Sequence, residues 1–365
     1  MASSPCGLKA IAAAAGVSHA TVYRALNGKR HIAEATRRHV LQVAEQLGYH
    51  PNRLARSLRT SRSFTLGLVL RTVNSSFHAE LLENIEEAAR AQGFDILLAC
   101  SQGDPERERD LVQLFREKAA DGVIVAPEGA AHNLSFYQDL VDDGLPLVFI
   151  DSYLPRLPSD YCVTDNFQSG YLVGRHLTGL GRKQTVILLG VGRYTQATSV
   201  FERVEGCRRA LGEAGLAPPL VLELGADDLF LRPEPAYRGM LAQLRSGLQL
   251  DSLFVLHDGH AYPAMQALHE FGLSIPGDVA VVGHDDLEPS RYLTPALTTV
   301  RQPLEQMGAE CVRLLLERLE QGLEVPPQQL RLEPTLIVRQ SCGAAPETPG
   351  APQSVIALPM VTTPA

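Results

Sequence analysis

From Thr65 onward the apolar residues fall into short blocks separated by longer amphipathic stretches. The run TLGLVL at 65–70 is too short for a buried helix and is apolar throughout, as expected of a parallel strand covered on both faces. A stretch of helical periodicity follows at 79–92. The pattern then repeats, with strands expected at 95–100, 122–126 and 147–150 and helices at 106–118 and 137–143. A second series places strands at 185–189, 252–256 and 279–282 and helices at 200–214 and 261–271. Strand and helix alternating in this way predicts a doubly wound α/β sheet, built twice. In such sheets ligands bind at the carboxyl ends of the strands, so the body is expected to be two lobes with a cleft between them.

The first 62 residues read differently. Leu8 to Ala15 is alanine-rich and helix-favouring, and Gly16 supplies a sharp turn. Ser18 is a good N-cap for a second helix through Thr21, Val22, Tyr23, Arg24, Ala25 and Leu26, which Asn27-Gly28 ends. Ile11 and Ala14 are expected to face inward from the first helix, and Val22 and Leu26 from the second. A third amphipathic helix is expected at 34–47, burying Val40, Leu41, Ala44 and Leu47. Two short helices joined by a glycine turn form a helix-turn-helix, a unit that reads DNA.

Charge sharpens the division. Residues 1–62 carry ten lysines and arginines against Glu34 and Glu45, a net charge of +8, whereas the rest of the chain carries 23 basic and 39 acidic residues, a net −16. A basic head on an acidic body suits contact with a polyanion through the head alone. At 365 residues with 45% hydrophobic and 20% charged residues, the chain is large enough for several domains and has ample apolar residues to bury. No window approaches the roughly 18 apolar residues of a membrane helix. The N-terminus lacks the basic n-region of a secretory signal. The six cysteines are scattered without a CxxC pair, which argues against a zinc or disulfide framework and fits a reducing cytoplasm.

The head resembles that of the lactose/galactose repressor (LacI/GalR) family. The resemblance lies in AGVSHATVYRALNG, in the E-x-T-R-x-x-V helix and in GYHPNRLARSL, which matches the family's hinge segment at about 51–60. It continues through LGLVLRTVNSSFHAELLENIEEAARAQGFDILL, ADGVIV, VTDNFQSGYLVGRHLTGLGRK, ERVEGCRRAL, GLSIPGDVAVVGHDD and LTPALTTVRQPLEQMG. It implies a DNA-binding transcriptional regulator, most simply a repressor, with a helix-turn-helix headpiece at 1–62 and a body at 63–340 resembling periplasmic sugar-binding proteins. The chain is then expected to cross between lobes near 162, 292 and 325. Lobe 1 would comprise 63–162 and 293–325, and lobe 2 would comprise 163–292 and 326–340. The Ala-, Pro- and Thr-rich tail at 341–365 is expected to be disordered and lacks a leucine heptad for tetramerisation, which favours a homodimer.

Carried over position by position, the resemblance gives His19, Ala20 and Arg24 to base reading and Ser18, Thr21 and Asn27 to phosphates. Tyr23 stands where a small polar residue is usual, and its role stays open. Leu58 matches a leucine that wedges into a base step of the minor groove, with Arg53, Arg56 and Arg59 neutralising phosphates beside it. The operator would be approximately palindromic. In the body, Phe77, Asp151, Arg203, Asp258 and Asp285 are the candidate effector contacts, with Ser76, Ser101 and Phe230 weaker ones. Carboxylates and an arginine at strand ends suit a polyhydroxylated ligand. A carbohydrate is therefore the expected effector, although nucleosides and purines also occur in the family. His257, His260 and His284 depart from the family pattern. They suit a metal site, a pH-sensitive pocket or ordinary hydrogen bonding; the expectation is no metal and no cofactor. Leu189-Gly190-Val191-Gly192 only hints at a nucleotide loop, since Thr195 stands where the third glycine belongs. With no GxSxG, HExxH or P-loop pattern either, an enzyme is not expected.

Overall fold

The computed structural model describes residues 7–26, 32–49, 62–129, 132–189, 197–223, 234–322 and 325–345. The chain divides into two units, Met1–Ser63 and Phe64–Ala365, one residue from the boundary expected from the sequence.

In the first unit α1 (Leu8–Ala15), α2 (His19–Leu26) and α3 (Glu34–Gln46) pack around Ile11, Val22, Ala25, Val40 and Ala44. Gly16 takes φ 64°, the left-handed conformation that ends α1 and that only glycine adopts without strain. Three expected positions shift. Ala14 is exposed and Ala15 buried, while Leu41 and Leu47 are 44% and 40% exposed and Val43 is buried in their place. At 3.6 residues per turn, positions 40, 43 and 44 share a face that 41 does not, and Leu47 lies past the last residue of α3, as its C-cap.

Among its described residues the body contains two six-stranded sheets, each covered by helices. The first takes the order β11-β5-β4-β3-β1-β2, from β1 (Thr65–Leu70), β2 (Asp95–Cys100), β3 (Gly122–Val125), β4 (Leu147–Ile150), β5 (Asp160–Thr164) and β11 (Gln329–Leu332). On one side lie α4 (Ser76–Ala91) and α11 (Leu304–Gln321). On the other lie α5 (Pro105–Glu117) and α6 (Leu134–Asp142). The second sheet takes the order β12-β10-β9-β8-β6-β7, from β6 (Thr185–Leu188), β7 (Leu220–Leu222), β8 (Ser252–Val255), β9 (Ala280–His284), β10 (Thr298–Arg301) and β12 (Thr335–Ile337). Its layers are α7 (Asn166–Gly179) with α8 (Thr198–Glu213), and α9 (Glu234–Arg245) with α10 (Asp258–Phe271). All pairings are parallel except that of β12 with β10. Both sheets reverse their winding beside the first strand, the arrangement that opens a ligand crevice.

The first crossing between lobes falls close to its expected position, and the other two differ from theirs. The first falls at Asp165, between β5 in one sheet and α7 against the other. The second lies at Gln302 and Pro303 rather than near 292, because β10 still pairs with β9. The third lies at Glu333 and Pro334 rather than near 325, because β11 pairs with β5 before β12 joins the second sheet. Strands β10, β11 and β12 are only three or four residues long, and the latter two are largely unburied, so their apolar pattern carries little signal.

Candidate functional site

On the headpiece, His19, Ala20 and Arg24 project from α2 as an exposed face. Ser18 is exposed as well, but its Oγ accepts from the Thr21 amide at 3.1 Å and pairs with the Thr21 hydroxyl at 2.9 Å. It thus caps α2, and Thr21 is half-buried. Asn27, Arg53 and Leu58 lie outside the described residues.

In the body, charged side chains gather where strands end. Arg71 follows β1, Ser101 follows β2, Glu128 comes just after β3, and Asp151 follows β4. From the second sheet come His257 after β8 and Asp285 after β9, while Arg203 projects from α8. Asp151 and Asp285 have φ values of 64° and 106°. Non-glycine residues held in such backbone conformations concentrate at functional sites.

Arg203 is 1% exposed, and its guanidinium is only partly spoken for. Nε donates to Asn166 Oδ1 at 2.8 Å and Nη1 to the Leu256 carbonyl at 3.0 Å. Nη2 has no hydrogen-bond partner among the described residues, and neither has the buried Ser199 Oγ one turn earlier on α8. Burial pushes the Asp151 carboxyl up to about 6; Arg203 and Arg71 oppose the shift, and Asp285 and Glu128 add to it. Those four charges define its surroundings, and no hydrogen bond to its carboxylate occurs among the described residues.

Asp285 is held tightly. His284 Nδ1 lies 2.8 Å and Gln302 Nε2 2.7 Å from its Oδ1, and His257 Nε2 is 3.5 Å from its Oδ2. Burial works against its ionised form, but the His284 hydrogen bond and the positive surroundings outweigh it and hold the carboxyl down at about 2. Desolvation drives His284 to about 4, His257 to about 3 and His78 to about 4, so these imidazoles are neutral near pH 7. His257 Nδ1 accepts from the Gly259 amide at 3.1 Å, which leaves the proton on Nε2, facing Asp285. Gln302 also accepts from the Thr164 hydroxyl at 2.6 Å, so Asp285 is tied to two of the segments that run between lobes.

On the first sheet's side, Arg71 Nη1 donates to Glu128 Oε2 at 2.5 Å, and Ser101 Oγ donates to Glu128 Oε1 at 2.7 Å. Beneath them Glu108 accepts from the Glu128 amide, Asn133 Nδ2 and the Tyr137 hydroxyl at 2.6, 2.9 and 2.7 Å. A buried carboxyl group thus pins the loop that carries Glu128.

The structure brings together Asp151, Arg203 and Asp285 among the expected effector contacts. It does not bring Phe77 to them, and Asp258, near enough to feel the charge of Asp285, has its carboxylate engaged elsewhere. Asp258 is fully buried. Its Oδ2 accepts from the Leu287 amide at 3.0 Å and from Ser290 at 2.6 Å, and its Oδ1 accepts from Thr299 at 2.8 Å, so it braces the second lobe internally. Phe77, 4% exposed, belongs to the first lobe's core, because α4 turns it inward with Leu81. Of the weaker candidates, Ser101 is engaged with Glu128, Ser76 is exposed, and Phe230 lies outside the described residues. The sequence reading passed over Arg71, His78, Glu128, Asn166, Ser199 and Gln302. Arg71 and Glu128 carry the signal that revealed Asp151, a charge just past an apolar strand; Asn166 and Gln302 carry none. Among the described residues no group of three His, Cys, Asp or Glu side chains could hold a metal ion, and no helix is long and apolar enough to cross a membrane.

Residues 7–52 match the model of bacterial regulatory proteins of the lacI family, and residues 175–342 match that of a periplasmic binding protein-like domain. The chain is 33% identical over 343 residues to the HTH-type transcriptional repressor PurR of Haemophilus influenzae (strain PittEE), covering 92% of this chain and 98% of that protein. A transcriptional regulator CelR–cellobiose complex is similar with TM-score 0.67 and 28% identity, covering 92% of this chain and 99% of that one. The lac repressor dimer bound to operator and the anti-inducer ONPF superposes with TM-score 0.80 over 93% of this chain and 100% of that one; its 24% identity speaks to the fold.

Proposed function

The chain belongs to the lacI family of bacterial regulatory proteins and is a DNA-binding transcriptional repressor, not an enzyme; on that footing we propose that its effector is a polyhydroxylated small molecule, a sugar or sugar derivative, held between the lobes. The observation that carries this reading is a pair of buried unsatisfied groups, Arg203 Nη2 and Ser199 Oγ, beside the Asp151 carboxylate, to which no hydrogen bond is made among the described residues. Buried polar groups are costly unless they are paired. Neighbouring hydroxyls of a sugar can donate to the carboxylate and accept from the guanidinium at once. The cellobiose of the similar CelR complex agrees with that class.

The regulator acts in the cytoplasm as a homodimer, its two heads reading the halves of an approximately palindromic operator through His19, Ala20 and Arg24. The effector binds one degree of lobe closure better than the other and so biases the spacing of the two hinge segments. Moving operator occupancy from 99:1 to 1:99 requires roughly 5.5 kcal/mol of discrimination between those states.

The test has two steps. Duplexes selected from a random pool by the ligand-free protein should yield a palindrome. Isothermal titration with a panel of mono- and disaccharides, nucleosides and purine bases then identifies the effector class. Binding by a saccharide that also changes operator affinity is the expected result; binding by nucleosides or bases alone overturns the sugar reading. Arg203→Ala should abolish the response and keep operator binding. Leu58→Ala should weaken operator binding and spare the effector, and equal loss of both in either variant would refute this division of labour.

A further inference from the structure

The two lobes are joined by polar contacts immediately beside the effector residues, and these contacts touch none of the groups assigned to the ligand. Asp151 is followed by Ser152 and Tyr153, and Arg203 is preceded by Glu202 and, one turn earlier, by Ser199 and Thr198. The neighbours of one lobe's residues bind the neighbours of the other's. The Ser152 and Thr198 hydroxyls lie 2.7 Å apart, Ser152 Oγ accepts from the Thr198 amide at 3.1 Å, and Thr198 Oγ1 accepts from the Tyr153 amide at 3.1 Å. The Tyr153 hydroxyl donates to Glu202 Oε1 at 2.6 Å. Arg331, on β11 of the first lobe, donates to both oxygens of Glu202 at 2.9 Å each and to the Tyr153 hydroxyl at 2.6 Å. Its guanidinium also lies over the Tyr153 ring, which stacks on Tyr161 with centroids 4.3 Å apart.

We propose that Tyr153, Glu202 and Arg331 form a clasp that positions Asp151 opposite Arg203 and sets the balance between open and closed lobes. The proposal deepens the reading of the cleft as an effector site and rests on it. Three features favour the clasp. Glu202 and Arg203 are consecutive on one helix, so any movement of Glu202 relative to the first lobe carries Arg203 with it. Tyr153 is two residues from Asp151, whose left-handed backbone leaves little slack between them. The Glu202 and Arg331 side chains are 14% and 34% exposed, which leaves the pair weak enough to exchange and strong enough to bias an equilibrium. A network in which one carboxylate, one phenol and one guanidinium each serve two partners favours the closed arrangement cooperatively. Glu202, Tyr153 and Arg331 are thus positioning residues, acting through Arg203 and Asp151.

The Ser152–Thr198 contact supplies a reporter. With their hydroxyls within hydrogen-bond reach, cysteines at the two positions meet the geometry of a disulfide only while the lobes are closed. In the full chain carrying Ser152→Cys and Thr198→Cys, oxidation by a fixed glutathione buffer should cross-link the lobes. Adding Arg331→Met or Glu202→Gln should slow cross-linking about fivefold, the scale of a partly exposed ion-pair network. The two together should be no slower than either alone, because each breaks the same network. An unchanged rate, or additive slowing, overturns the clasp. Tyr153→Phe, without the cysteines, keeps the ring stack and should raise hydrogen exchange at residues 197–203; unaltered exchange there also counts against it. Neither measurement uses DNA or ligand. If the clasp variants behave as expected while the wild type enriches no operator and binds no saccharide, the functional reading fails and the clasp stands.

Discussion

Buried ionisable side chains are where this molecule is most sensitive to pH. His284, His257 and His78 titrate in the folded chain well below the ordinary 6.5, because burial penalises their charged forms. Between about pH 6.5 and 4 the unfolded chain therefore binds more protons than the folded one, and stability is lost as pH falls through that window. His284→Phe removes one such group and should flatten this limb, by up to about 1.4 kcal/mol per pH unit. Urea midpoints measured across that window would show it, and an unchanged slope would mean that His284 titrates normally. Glu108 has the opposite sign. Burial raises it to about 7, against hydrogen bonds from Asn133, Tyr137 and the Glu128 amide. Its folded form keeps a proton that the unfolded form releases near 4.5, so its contribution falls as pH rises from there through about 7. Glu108→Gln should lose less stability than the wild type between pH 5 and 8, and a parallel decline in both proteins would contradict this assignment. Little of this was legible in sequence. Glu108 occupies an ordinary-looking place in the charged run PERERD, and only packing against Asn133 and Tyr137 distinguishes it from Glu106.

At the scale of elements, the site depends on how closely α7 and α8 approach. A Cβ on Gly206 would sit 1.9 Å from the Phe167 carbonyl oxygen, and one on Gly170 the same distance from that of Arg203. Both obstacles are backbone, so neither can swing aside. Gly206→Ala should therefore cost at least the roughly 1–3 kcal/mol of an overpacked core and lower Tm by several degrees. It should also impair effector binding, since α8 carries Arg203. A variant with wild-type Tm would show that the helices can separate. The same closeness explains why α7 was absent from the sequence reading: glycines and a serine face α8, so its apolar periodicity is weak. Strands β1, β3, β4, β6 and β8, whose residues are nearly all buried, were plain from their apolar runs. The half-exposed β11 and β12 were not.

For the whole molecule, the division into Met1–Ser63 and Phe64–Ala365 predicts separable activities. A chain starting at Phe64 should fold, retain binding of the effector and lose operator binding entirely. Calorimetry and a gel-shift assay would check this, and failure of the body to fold alone would show that the head contributes to its stability. The head's net +8 and the body's −16 further predict that operator affinity falls steeply between 50 and 200 mM salt, as release of condensed counterions requires. A salt-independent affinity would exclude phosphate contacts as the main source of binding.

Sequence alone determined the two-part organisation, the helix-turn-helix and the double α/β alternation, and it singled out Asp151, Arg203 and Asp285, which the fold gathers in one place. Each follows from local periodicity, from charge segregation or from a charged residue just past an apolar strand, and all of these are written in consecutive residues. Tertiary structure decided which carboxylates are spent and which are free. Asp258 and Asp151 both stand just past a strand of their sheet, yet Leu287, Ser290 and Thr299 from distant segments satisfy the first, and no hydrogen bond to the second occurs among the described residues. It also decided where the chain crosses between lobes, and it brought Glu202 to Tyr153 and Arg331 across separations of 49 and 129 positions. Burial and hydrogen-bond satisfaction are set by whatever packs against a residue in space, and the residue's own sequence neighbourhood does not contain that information.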